Sequence, residues 1–305
     1  MTEIELRGLD GRNPLAYFAA LGCLAALART QPNSGARLAW TPGPLPRPVL
    51  HASGLDPDAV VAALGEDRQA WAESPVLTFD QLEDVKLSAE DQRRYLIACR
   101  EADDGGRSAG LVTSLIAEHT FAKTGDGKPT DLHFCAGNQH FLAIARKLQD
   151  EVTADDLREA LFGPWRYERL LPTFGWDMTD DRVYAYGISD PAKTKKYTVP
   201  GADWLGFMGL AAYSVIGRGE QGLPPGGSGS WKHGRLQWGL WCIPIGWAAA
   251  RSLVATGFPI ADAARLGPGV FRIFSAQIRR SDQGGYGSFS PSVAAWEARR
   301  GLTGD

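Results

Sequence analysis

Three groups of residues in this 305-residue chain have types that could do chemistry. The first is His133-x-Cys135-x4-His140. Histidine and cysteine ligate zinc, and a Cys–His pair can act as a nucleophile with its base. The spacing matches no common zinc site, and no third and fourth ligand lies near in sequence. A cysteine facing the core beside two hydrogen-bonding histidines is the competing reading. The second group is Asp177, Asp180, Asp181 and Asp190. Clustered carboxylates can hold magnesium in a nuclease, but aspartate is also favoured in turns for backbone reasons. The third interleaves cations with rings: Trp165, Arg166, Tyr167, Arg169, Trp176, Arg182, Tyr184 and Tyr186, then Lys193, Lys195, Lys196 and Tyr197. Basic side chains neutralise phosphates and aromatic rings stack on unpaired bases. The same alternation also suits a sheet with an aromatic inner face and a charged outer one.

Established catalytic signatures are missing from the sequence. It has no G-x-S-x-G elbow, no H-E-x-x-H, no Walker loop and no dinucleotide fingerprint. KTGDGKPT has the composition of a phosphate loop without its spacing. No cofactor is expected.

Charge is unevenly distributed. Residues 1–130 carry 13 Lys+Arg against 18 Asp+Glu, whereas residues 182–300 carry 14 against 6, a net of +8. A basic C-terminal segment can attract a polyanion. No apolar run reaches the roughly 18 residues of a membrane span. The four cysteines lie far apart in apolar surroundings, which suits reduced thiols in a cytoplasmic protein.

The elements that must position these groups read as α+β, with a helix-rich N-terminal half and mixed helices and antiparallel strands after it. We divide the chain into an acidic, mostly helical region over 1–125 and an α+β region with a basic C-terminal segment over 131–305, with one continuous domain as the alternative. Ile4, Leu6 and Leu9 suggest an opening strand. Asn13-Pro14 caps an almost wholly apolar helix, whose Gly22 implies a close backbone neighbour. ARLAW and PVLHA suggest short strands held to sheet edges by prolines. Helices are expected over 56–72, from Ser88, over 109–121, from Asn138 or Gln139, from Thr153, and over 203–216. DLHFCAG is predicted as a strand, PTFGWDM and RVYAYGIS as a hairpin, and 217–234 as a long flexible loop carrying Lys232, His233 and Arg235 towards its end. LQWGLWCIPIG and GVFRIFSAQIRRS suggest further strands, with a short helix over AAARSLVATG.

Several motifs in order resemble one family. They are the helix over 11–22, FCAGNQHFLAIAR over 134–146, LFGPWRY over 161–167, WDMTDDRVYA over 176–185, SDP over 189–191 and GADWLG over 201–206. Together they resemble the Cas8-type subunits of type I-G (formerly I-U) CRISPR interference complexes. The chain is short and acidic overall for such a large subunit. The resemblance implies a non-catalytic subunit of a crRNA-guided surveillance complex, which binds target DNA and helps read the protospacer-adjacent motif. Its implied partners are the backbone and crRNA-end subunits, crRNA, target DNA and a recruited helicase-nuclease, with no membrane. The candidate nucleic-acid contacts are Arg166, Arg182, Lys193, Lys195, Lys196, Lys232, Arg235, Arg279 and Arg280. Two alternatives stay open: a nuclease or hydrolase using His133, His140 or the 177–181 aspartates, and a protein-only scaffold.

Overall fold

A computed structural model describes residues 1–121, 127–179, 197–267, 269–280 and 285–298. The architecture is α+β, with helices dominating the N-terminal half and antiparallel sheet the C-terminal half.

Helix α1 (Pro14–Thr30) is the centre of the packing. Asn13 accepts from the Leu15 amide, Pro14 fills the first helical position, and every residue from Pro14 to Leu27 is buried. A helix with no polar face must be enclosed. The enclosure comes from α8 (Pro200–Gly209), which is also buried along its whole length. Gly22 and Gly209 face each other where the two backbones touch. Local capping rules set other starts too. Asp56 caps α2 (Pro57–Ala70), Ser88 caps α4 (Ala89–Glu101), and Thr153 with Asp156 forms a capping box on α7 (Ala154–Phe162). The short α3 (Pro75–Thr78) packs between α4 and α6 (Phe141–Glu151).

Two larger sheets flank these helices. Strands β1 (Thr2–Glu5), β2 (Arg37–Trp40) and β3 (Pro48–Ala52) pair antiparallel in the order β1-β3-β2. The prolines therefore do not keep β3 to an edge. Pro48 is its first residue, and its carbonyl still accepts from the Leu6 amide at 2.9 Å. The second sheet orders β11 (Gly287–Phe289), β10 (Val270–Arg280), β9 (His233–Trp241) and β8 (Gly227–Gly229), with β12 (Val293–Glu297) also on β10. Helix α9 (Trp247–Ala255) follows β9. One hydrophobic cluster runs from Ile4 to Phe289.

Other expectations are corrected. The helix over 109–121 is α5 (Arg107–Leu115) followed by β4 (Ile116–Phe121), which pairs with β5 (Gly127–Pro129). No glycine or proline marks that switch; the cross-strand pairing does. Residues 131–136 form no strand. Their backbone groups are satisfied piecemeal: the Asp131 amide by Gly222, the Phe134 carbonyl by Gly287, and the Asp131 and His133 carbonyls by the Arg280 side chain. Helix α6 starts at Phe141, with His140 rather than Asn138 or Gln139 at its cap. PTFGWDM is irregular, with the Trp176 indole donating to the Leu132 carbonyl. The expected partner strand RVYAYGIS lies outside the described residues. The expected loop over 217–234 holds three strands: β6 (Ile216–Arg218), β7 (Gln221–Leu223) and β8. Gly229 has a φ of +89° and a Cβ there would overlap the His233 carbonyl, so glycine allows the tight β8–β9 turn.

Candidate nucleic-acid interface

The β9–β10 register decides how the C-terminal cations are displayed. His233 pairs with Arg279 and Arg235 with Gln277. Side chains directly opposite each other in an antiparallel pair share a face, and faces alternate along each strand. His233, Arg235, Gln277 and Arg279 are all exposed on one face, and Ser228 of β8 extends it opposite Arg235. The other face carries Leu236, Trp238, Phe274 and Ile278 into the core.

Arg279 and Arg280 are adjacent in sequence and diverge by this alternation. Arg280 turns to the inner side. Its Nη2 donates to the Asp131 carbonyl at 2.7 Å, its Nη1 to His133 at 3.0 Å and its Nε to Trp231 at 3.0 Å. Its guanidinium also lies 3.4 Å from the centre of the Trp231 indole. Burial lowers the Arg280 pKa to about 10, against the opposing charge of Asp131. Burial likewise raises the Asp131 carboxyl to about 6, opposed by Arg280 and by the Gln221 amide donating at 3.0 Å. Trp231, Lys232 and His233 follow one another, all exposed, through the β8–β9 turn into β9. Trp231 was not among the residues expected from sequence. The available signal was a lone large ring in a stretch of glycine, serine and proline beside a lysine.

The remaining sequence candidates separate. Arg166 lies just after α7, where Glu159 takes both its backbone amide at 2.6 Å and its guanidinium at 2.9 Å. Arg182, Lys193, Lys195 and Lys196 lie outside the described residues, as do Asp180, Asp181 and Asp190.

His133 and His140 both lie against Asp84. His133 is 0% exposed, and its Nε2 bonds Asp84 at 2.6 Å. Asp84 belongs to the acidic front of the chain, and sequence gave no reason to pair it with His133. His140 is 41% exposed and sits 3.8 Å from Glu83 and 3.9 Å from the second Asp84 oxygen. Burial lowers the His133 pKa, against the hydrogen bond that its Nε2–H donates to Asp84. Burial would raise Asp84, but the His133 and Val85 hydrogen bonds and nearby charge leave it below its ordinary value. A neutral, fully enclosed imidazole has no route to a substrate. Among the described residues no group of three or more His, Cys, Asp and Glu side chains could hold a metal ion.

Asp177 serves as a local fastener. It accepts from Asn13 Nδ2 at 2.8 Å, the Tyr167 hydroxyl at 2.8 Å and the Thr179 amide at 3.0 Å. With Tyr167, Thr173 and Asp203 it lines a cavity of about 260 Å³.

No protein-family model and no curated protein matches the chain. Among the described residues no helix is long and apolar enough to cross a membrane.

Proposed function

We propose that this chain is a non-catalytic, nucleic-acid-binding subunit of a crRNA-guided type I interference complex, and that it contacts target DNA through the outer face of β9–β10. The observation that carries the reading is the pairing of Arg235 and Arg279 onto one exposed face with His233, Gln277 and Ser228. Its strands lie in the segment of net charge +8. Such a surface suits phosphate contacts, which position a duplex or strand without reading its sequence. The ordered motifs that resemble Cas8-type subunits support the assignment to a guided complex. In such a complex the protein reads a short motif while base pairing reads the rest. Backbone and crRNA-end subunits, crRNA and a recruited helicase-nuclease are the partners this reading calls for. Arg182, Lys193, Lys195 and Lys196 remain candidate contacts on sequence grounds.

The test is salt-dependent DNA binding by the chain assembled with its partner subunits. Arg235→Glu with Arg279→Glu should weaken binding across all sequences. It should also reduce the slope of log affinity against log salt by about 1 for each phosphate that is no longer neutralised. Unchanged affinity and slope in a correctly assembled complex would rule out this face.

A further inference from the structure

We propose that Trp231 is a seat for an unpaired nucleobase. The inference rests on the nucleic-acid reading above and narrows its ligand to single-stranded nucleic acid at this end of the sheet.

Trp231 is placed unlike the other tryptophans of the chain. Six of the ten are fully buried (Trp40, Trp71, Trp176, Trp204, Trp238 and Trp241), and Trp165, Trp247 and Trp296 pack against the core. Trp231 alone stands outside that cluster, 36% exposed in the β8–β9 turn. Leaving an indole in water forgoes the hydrophobic gain its burial would bring.

The Trp231 ring is exposed and yet held. Arg280 grips it twice, through the backbone carbonyl and across the ring, and is itself anchored on the Asp131 and His133 carbonyls. The His233 amide closes the turn on the Ser230 carbonyl at 3.0 Å. An indole fixed in this way loses little freedom when a second flat group stacks on it, which is the benefit of preorganisation.

The surroundings of the ring are cationic. Lys232 follows it directly in sequence, and the Arg280 guanidinium lies against the ring. Aromatic rings beside a cationic track are the usual means of binding a single strand, because every base has a π-face. Bases inside a duplex hide those faces in their own stack. An indole presented from a hairpin turn therefore selects a base that is already unpaired. Arg280 acts as a positioning residue for the ring.

The experiment uses fluorescence anisotropy on the chain in its assembled complex, with a fluorescein-labelled oligo-dT strand and a labelled blunt-ended two-strand duplex. Trp231→Ala should weaken strand binding about 10-fold and leave the duplex within about twofold. Trp231→Phe, which keeps a π-face, should recover most of the loss. Trp231→Leu, which keeps an apolar cover over Arg280 without one, should not. Arg235→Glu with Arg279→Glu should weaken both probes. If charge reversal weakens both probes while Trp231→Ala weakens neither, or both equally, the seat is wrong and the nucleic-acid reading stands. Equal rescue by Leu and Phe would make Trp231 a cover for Arg280 and also overturns the seat. If the unaltered complex binds neither probe at low salt, both proposals fall.

Discussion

Gly22 of α1 and Gly209 of α8 stand against each other, so that a Cβ on Gly22 would overlap the Leu205 carbonyl and one on Gly209 the Phe18 carbonyl. Two helices buried over nearly their whole length thus meet backbone to backbone.

Gly22→Ala should destabilise the protein by about 1–3 kcal/mol or more, because the added methyl meets backbone that cannot rotate away. Gly65 provides the control. It lies in α2 with open space where its Cβ would be. Gly65→Ala should therefore be neutral or stabilise by about 0.5–1 kcal/mol through helix propensity. Urea titration of both variants checks the pair, and a neutral Gly22→Ala would disprove the close crossing.

Arg280 joins three carbonyls from two separate stretches, Asp131 and His133 on one and Trp231 on the other. Arg280→Lys keeps the charge but cannot span three acceptors with one ammonium. It should cost about 2–4 kcal/mol, since charge-assisted bonds are lost and carbonyls are left without partners. Hydrogen exchange would locate the damage. Protection should fall at 131–134 and in the β8–β9 turn, while α1 keeps its own.

The buried His133 and Asp131 give opposite pH dependences. His133 has its folded pKa below the ordinary 6.5, so the unfolded chain takes up its proton first. Its contribution to stability is present above about pH 6.5 and is lost as pH falls. His133→Gln does not titrate and should flatten thermal stability between pH 7 and 5. Asp131, raised from 3.8 to about 6, works in the other sense. Its ionised form is disfavoured in the fold, so protonation between pH 6 and pH 4 stabilises. Asp131→Asn should melt higher than the unaltered chain at pH 8, with the gap closing towards pH 4. Parallel melting curves for Asp131→Asn and the unaltered chain at every pH would refute the assignment.

The sequence by itself determined what depends on neighbours a few residues apart. Asn13, Asp56, Ser88 and Thr153 cap helices because a cap needs only its own next turn. The apolar run over 14–28 had to be enclosed, and Gly22 already implied a backbone against it. The alternation along 270–280 identified β10 and its outward Gln277 and Arg279. Tertiary structure alone decided what depends on residues far apart in the chain. It paired Asp84 with His133 and made that histidine a buried hydrogen-bonding group instead of a ligand. It drew Arg280 away from Arg279 onto carbonyls some 149 residues distant, and so left 131–136 with no strand to join. It folded the glycine-rich stretch into a hairpin and set Trp231 over Arg280. Those outcomes follow from strand register and from the need to satisfy every buried polar group. Neither is written in any local pattern, because the partners meet only when α1, α8 and the β9–β10 sheet have closed around one core.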